Sequence, residues 1–180
     1  MKKGLIILVA ILVILFLFYG SVYNNLVSKY EKINQEQAEI DNQLKRRADL
    51  IPNLVSTVKG LSKQEQALVD SVTAARSKMT TGDMEDRLAA NDDLSTSINI
   101  LVENYPVLKS DSAYTGLMDE LAGTENRIAN ARRNYNNEVG SFNTITKTFP
   151  TNIIASMSGF KAKPYLEIVD EDKTNPEVNF

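Results

Sequence analysis

Eight polar side chains lie on or near the seams of an otherwise apolar rhythm and could form one network. Arg46, Arg47, Asp49 and Asn53 form one group, and Glu103, Glu125, Arg132 and Arg133 the other. Guanidinium and carboxylate groups in such numbers could do acid–base work, hold a hard cation, or join helices through buried ion pairs. What the chain lacks narrows the choice: it has no histidine and no cysteine. The commonest general base and the most nucleophilic side chain are therefore missing. Zinc, haem and iron–sulfur ligation through the usual nitrogen and sulfur donors is excluded, and so is any disulfide framework.

Helical bundles build carboxylate-bridged di-metal sites from glutamates together with Glu-x-x-His. Glu103, Glu120 and Glu125 could supply oxygen, but no histidine completes the set. An oxygen-only Mg or Ca site would call for an Asp-rich loop, which the sequence does not offer. Its serines and threonines fall in no recognisable nucleophile elbow, and in Ser-x-x-Lys contexts no more than chance spacing gives, and Ser110-Asp111-Ser112 reads as a helix start. The expectation is a protein that is not an enzyme and holds no cofactor or metal, with a carboxylate–metal enzyme as a remote alternative. Nucleic acid is a poor partner too. The chain carries 20 basic against 23 acidic residues, and two of the basic ones are Lys2 and Lys3 in the N-terminal apolar region.

Leu5 to Tyr19 is an unbroken apolar run, and Gly4 and Gly20–Tyr23 extend the uncharged stretch to about 20 residues, enough to span a hydrocarbon core. A cleaved signal peptide has a shorter core and a small-residue cleavage site, neither of which is seen. Residues 5–22 are thus expected to lie in the bilayer as a single-pass anchor. Lys2 and Lys3 flank one side, Lys29 and Lys32 the other; positive charge on the short N-terminal flank favours a cytoplasmic N-terminus with the body outside.

Helical periodicity dominates the rest. Leu26, Tyr30, Ile33, Gln37, Ile40, Leu44, Ile51, Val55 and Val58 step by three, four or seven, the seam of a packed helix. No Gly or Pro interrupts Val22 to Ile51, so the anchor is predicted to run on into this helix, with Pro52 kinking rather than ending it. A capping box at Ser62–Glu65 opens a second helix over Gln64 to Lys78, closed by Thr80-Thr81-Gly82-Asp83. A third spans Glu85 to Tyr105 with Leu88, Leu94, Ile98, Leu101, Val102 and Tyr105 inward, and Pro106 stops it. A long fourth follows on Tyr114, Met118, Leu121, Ile128, Tyr135, Val139, Phe142 and Phe149, closed by Pro150. Thr151–Ser158 reads as a small helix and Gly159–Val169 as an extended strap. The fold class is all-α: a transmembrane helix (1–22), an antiparallel up-and-down bundle of about four helices (23–160), and an extended strap with a mobile tail (161–180).

Against this frame Arg47 or Ala48 takes a seam step of the first helix, and Glu125 and Arg132 take steps of the fourth. Three readings stand: solvated edges with aliphatic stems laid over the core, a buried structural network, or a ligand site. The network would join Arg46, Arg47 or Asp49 to Glu103, Glu125, Arg132 or Arg133.

The run Asp41-Asn42-Gln43-Leu44-Lys45-Arg46-Arg47-Ala48-Asp49-Leu50-Ile51-Pro52-Asn53-Leu54-Val55 resembles the LemA family. So do Glu103-Asn104-Tyr105-Pro106, Gly123-Thr124-Glu125-Asn126-Arg127-Ile128-Ala129 with Ala131-Arg132 and Tyr135-Asn136, and Phe149-Pro150 with Gly159-Phe160-Lys161. The resemblance implies a single-pass bacterial membrane protein with an antiparallel helical-bundle domain and no established activity. Genes of the family often lie near those of membrane-associated peptidases, which points to a scaffold or adaptor in the cell envelope with a protein partner there. A self-assembling, homo-oligomeric membrane-organising protein is the alternative. Asn53, Glu103, Glu125 and Arg132 would then set helix register rather than catalyse.

Overall fold

A computed structural model describes residues 2–57, 66–104 and 112–167. Five helices occupy them: α1 (Lys2–Thr57), α2 (Gln66–Thr80), α3 (Met84–Asn104), α4 (Ser112–Lys147) and α5 (Thr151–Met157). No strand occurs among the described residues. The Ser62–Glu65 capping box, Val58, Tyr105, Pro106, Ser110 and everything beyond Glu167 lie outside them.

The helix that begins in the apolar run does continue into the polar sequence. α1 is one helix of 56 residues with Pro52 inside it. Its first third is long and apolar enough to cross a membrane, and its large apolar side chains from Leu5 to Phe18 are all exposed. Beyond them one stripe is buried: Leu26, Ile33, Ile40, Leu44, Ala48, Ile51 and Leu54. Gln37, read as a seam step, is exposed, and Val55 is only half-buried. The stripe moves to Leu54 because steps of three and four on a 3.6-residue helix drift around the axis.

The chain divides into two compact units, one within Met1–Asn34 with Asn134–Phe180, the other Gln35–Arg133. Both boundaries fall inside the stretch expected to be one bundle, and α1 and α4 contribute to each unit.

In the Gln35–Arg133 unit, paired residues give the helix directions. Ser71 meets Ser97 and Arg87 reaches the Met79 carbonyl, so α2 and α3 are antiparallel. Asp41 pairs with Arg87 and Arg47 with Asn91 and Ser95, so α1 and α3 run the same way. Asp92 pairs with Arg132 and Ser95 with Glu125, which sets α4 against α3. That is up-and-down order. Leu88, Leu94, Ile98 and Leu101 of α3 and Tyr114, Leu121 and Ile128 of α4 fill the interior. Between α2 and α3, Gly82 takes φ 101°, a left-handed value open to glycine without strain. Asp83 then accepts the Asp86 amide at 2.9 Å, capping α3.

Pro52 has a cost that α2 offsets. Proline has no amide hydrogen, so the carbonyl four residues earlier, on buried Ala48, is left out of the helix ladder. Nε of Arg76 donates to that oxygen at 3.0 Å. Arg76→Leu is expected to cost about 1–2 kcal/mol, the penalty of a buried acceptor left unpaired. With Pro52→Ala also present, residue 52 regains its amide and the same change should cost far less. Thermal melts of the four proteins in detergent measure the coupling; equal cost in both backgrounds would reject this role for Arg76.

Candidate functional site

The polar residues of the Gln35–Arg133 unit converge on one guanidinium. Arg47 projects from the buried stripe of α1, its side chain 3% exposed. Nη1 donates to the Glu125 carboxylate of α4 and to Oδ1 of Asn91 of α3. Nη2 donates to Oγ of Ser95, one turn further along α3, at 3.0 Å. Asn91 is fully buried and faces both ways. Its oxygen accepts from Arg47, while Nδ2 donates to Glu125 Oε2 and Asp92 Oδ1, each at 3.2 Å. Asp92 in turn accepts from Arg132, seven residues along α4 from Glu125, at 3.2 Å. Arg47, Glu125, Asp92 and Arg132 thus form a set of two positive and two negative charges across three helices.

Burial pushes the Arg47 guanidinium down to about 10, against the opposing influence of Asp92. The depressed value means that burial penalises its charge at every pH below about 10, and the penalty lifts only above that. At neutral pH it stays protonated, so its carboxylate partner is required. Glu125 is less enclosed, with 35% of its side chain exposed. Thr124 and Ala131, one position earlier than Glu125 and Arg132, share the inward stripe of α4.

Not every residue singled out from sequence is here. Arg46 is exposed and pairs with Glu120 at 3.1 Å, both half in solvent, a pairing worth little. Arg133 is exposed and donates to Asn130 within α4. Asp49, Asn53 and Glu103 are exposed and stand apart from the network. Asn91, Asp92 and Ser95 were missed: on a helix as polar as α3 they look like ordinary surface residues. No group of three or more Asp or Glu that could hold a metal ion occurs among the described residues. A pocket of about 340 Å³ lies on α2 and α3, lined by Lys78, Thr81, Asp86, Ala89, Ala90 and Asp93 rather than by the network.

The other unit carries a second polar device. Residues 159–167 have no regular structure and lie along α1 and α4. Asn143 of α4 accepts the Lys163 amide and donates to the Lys163 carbonyl, both at 2.8 Å. Asn136 does the same for Leu166, at 2.9 and 2.8 Å. Gly140 lies between the two asparagines, and a Cβ there would stand 3.5 Å from the Tyr165 hydroxyl. The spacing is commensurate. Seven helical residues rise about 10.5 Å, and three extended residues cover about 10 Å. Phe160 completes the seat, in ring contact with Tyr23, Tyr30 and Phe142. Lys163 Nζ sits 4.6 Å from the Tyr30 ring centre.

A helix able to cross a membrane, continued into an all-helical body that closes around an internal ion-pair network, defines a membrane-associated helical-bundle protein. The chain belongs to the LemA family, whose family model matches residues 36–180. Protein LemA of Metamycoplasma hominis is 26% identical over 147 residues, covering 79% of this chain and 67% of the relative. Magnetosome protein MamQ of Magnetospirillum gryphiswaldense is 23% identical over 173 residues, covering 79% of this chain and 64% of its own length. MamQ 2 of Paramagnetospirillum magneticum is 34% identical over 67 residues, 37% of this chain and 25% of that protein. The chain thus spans about two thirds of the first relative and less of the magnetosome proteins.

Two tests follow from these contacts. Glu125→Ala strands the Arg47 charge and is expected to destabilise by about 3 kcal/mol, whereas the double change Arg47→Met with Glu125→Leu should be close to neutral. Denaturation in detergent compares them; a double variant as unstable as Glu125→Ala would show the ion pair is not what matters. In Asn143→Leu, Lys163 loses both backbone partners. Hydrogen exchange of the 161–167 segment should then speed up about tenfold, with α4 unchanged; unaltered protection would deny the clamp.

Proposed function

We propose that the protein is a non-enzymatic scaffold or adaptor of the bacterial cell envelope, anchored through residues 5–22 and acting through its exposed helix faces. The observation that carries this reading is α1: an exposed apolar segment passes, within one unbroken helix, into the buried stripe of a folded body. Such a helix keeps the body at the membrane without an intervening flexible linker. The chemistry of the chain agrees, since His and Cys are absent from the whole sequence. The polar residues that converge do so on one another, answering the buried Arg47 and Arg132 with part-exposed carboxylates. The partner is an envelope protein, and the gene neighbourhood of the family makes a membrane-associated peptidase the first to examine. The N-terminus is cytoplasmic and the body outside, following the lysines at positions 2 and 3.

Crosslinking in intact cells, followed by purification from membranes, tests this. A reproducible envelope protein is expected on the crosslinked chain. Products containing this chain alone would favour the self-assembling, membrane-organising alternative, and repeated recovery of neither would defeat both. External protease should cut the body in intact cells; full protection would reverse the orientation.

A further inference from the structure

We propose that α5 is a second membrane contact, a short helix lying in the lipid interface beside the anchor with Phe149, Ile153 and Met157 against lipid. This rests on reading the start of α1 as a membrane span.

α5 has two unlike sides. Ile154 and Ala155 are buried against the protein, while Ile153 is 52% and Met157 75% exposed. Phe149, four residues before Ile153, is 76% exposed. Its spacing from Phe142 predicts a place in the core of α4, but that helix ends at Lys147. Scattered exposed apolar residues are ordinary, whereas several gathered together mark an interaction surface. Outside α1, the large exposed apolar residues among the described ones are Ile100, Phe149, Ile153, Met157 and Tyr165. Three of these five fall within one short stretch.

The position of that stretch along α1 names what covers it. The Tyr19 hydroxyl lies 3.2 Å from Oγ of Ser158, the residue after α5. The Tyr23 ring is 6.1 Å from that of Phe160 and stacks on Tyr19 at 6.2 Å. Tyr19 and Tyr23 close the apolar run, where tyrosines mark the boundary of hydrocarbon and headgroups. α5 therefore meets α1 at the level where the lipid tails give way to water. A short helix there, apolar on its outer side, sits as interfacial helices do, sunk roughly 5–10 Å into the headgroup boundary. Lys147 and Lys161 flank the segment and are both exposed, suited to lipid phosphates. A protein partner could cover an apolar face elsewhere on the body; at this level the bilayer reaches it first.

The chain has no tryptophan, so a single one introduced reports its own surroundings. Full-length Ile153→Trp and Met157→Trp would be placed in phosphatidylcholine–phosphatidylglycerol vesicles whose acyl chains carry bromine, a contact quencher. Two references bracket them. Leu12→Trp lies within the apolar run. Asn137→Trp lies on exposed α4, next to Glu138, which pairs with Lys29, about 15 Å further along α1 than Tyr19. Both α5 reporters should emit at shorter wavelength than the Asn137 reference and lose fluorescence to bromine nearly as strongly as the Leu12 reference. Quenching no stronger than at Asn137, with Leu12 still quenched, would overturn the proposal and leave the anchor intact. A blue-shifted emission without bromine quenching would place protein over the face and also overturn it. Absence of quenching at Leu12 would defeat the membrane reading itself.

Discussion

A guanidinium kept out of water sets the terms for the Gln35–Arg133 unit. Arg47 stands on the buried stripe of α1, and an isolated charge there would cost several kcal/mol. Only an opposite charge with hydrogen bonds to the remaining donors removes most of that cost. Glu125 supplies the charge from α4, and Asn91 and Ser95 supply acceptors from α3. Each partner is competent in one register only, because a slide of one turn along α3 or α4 moves it by about 5.4 Å. Apolar side chains tolerate such slides far better than a charge does. For buried polar groups in general, choosing among similar packings is a better supported use than adding stability.

The same pressure to pair buried polar groups recurs with the backbone as client. Pro52 withdraws the partner of the Ala48 carbonyl, and Arg76 replaces it. The end of α2 leaves the Met79 carbonyl open, and Arg87 donates to it. The strap cannot pair its amides in a sheet, since the described residues contain none, and Asn136 and Asn143 serve it from α4. Side chains long enough to reach across helices do what neighbouring turns or strands would otherwise do.

How much of this could be read in advance follows from what each residue contrasts with. Helix number and extent were legible because Leu, Ile and Val recur at helical steps in a polar background. Arg47, Glu125 and Arg132 were legible because they break that rhythm. Asp49 and Asn53 were drawn in by closeness in sequence. At 100° per residue, however, Asp49 already turns away from the side that buries Arg47 and Ala48. Glu103 offered the right charge but stands eight residues beyond Ser95 on α3. Asn91 and Asp92 gave no such contrast, since α3 has polar residues on every side. The asparagines at 136 and 143 left a fainter trace. Seven residues apart, beside a glycine, they form one stripe just off the apolar seam.

That stripe and the Glu125–Arg132 pair share a spacing, and the shared spacing separates two uses of one helix. Seven residues are close to two turns, so the two members of each pair project from the same side of α4. Glu125 and Arg132 are charged, and each needs an opposite charge; helices, with their long ionisable side chains, supply it. Asn136 and Asn143 are neutral and carry a donor and an acceptor in a fixed plane. That is the complement of one extended residue's amide and carbonyl, so what they hold is backbone, whatever side chains it bears. Lys163 and Leu166 differ completely in character, yet each is held by the same pair of bonds. The ionic pair specifies which residues face α4, while the amide pair specifies only that the facing chain be extended and its residues three apart.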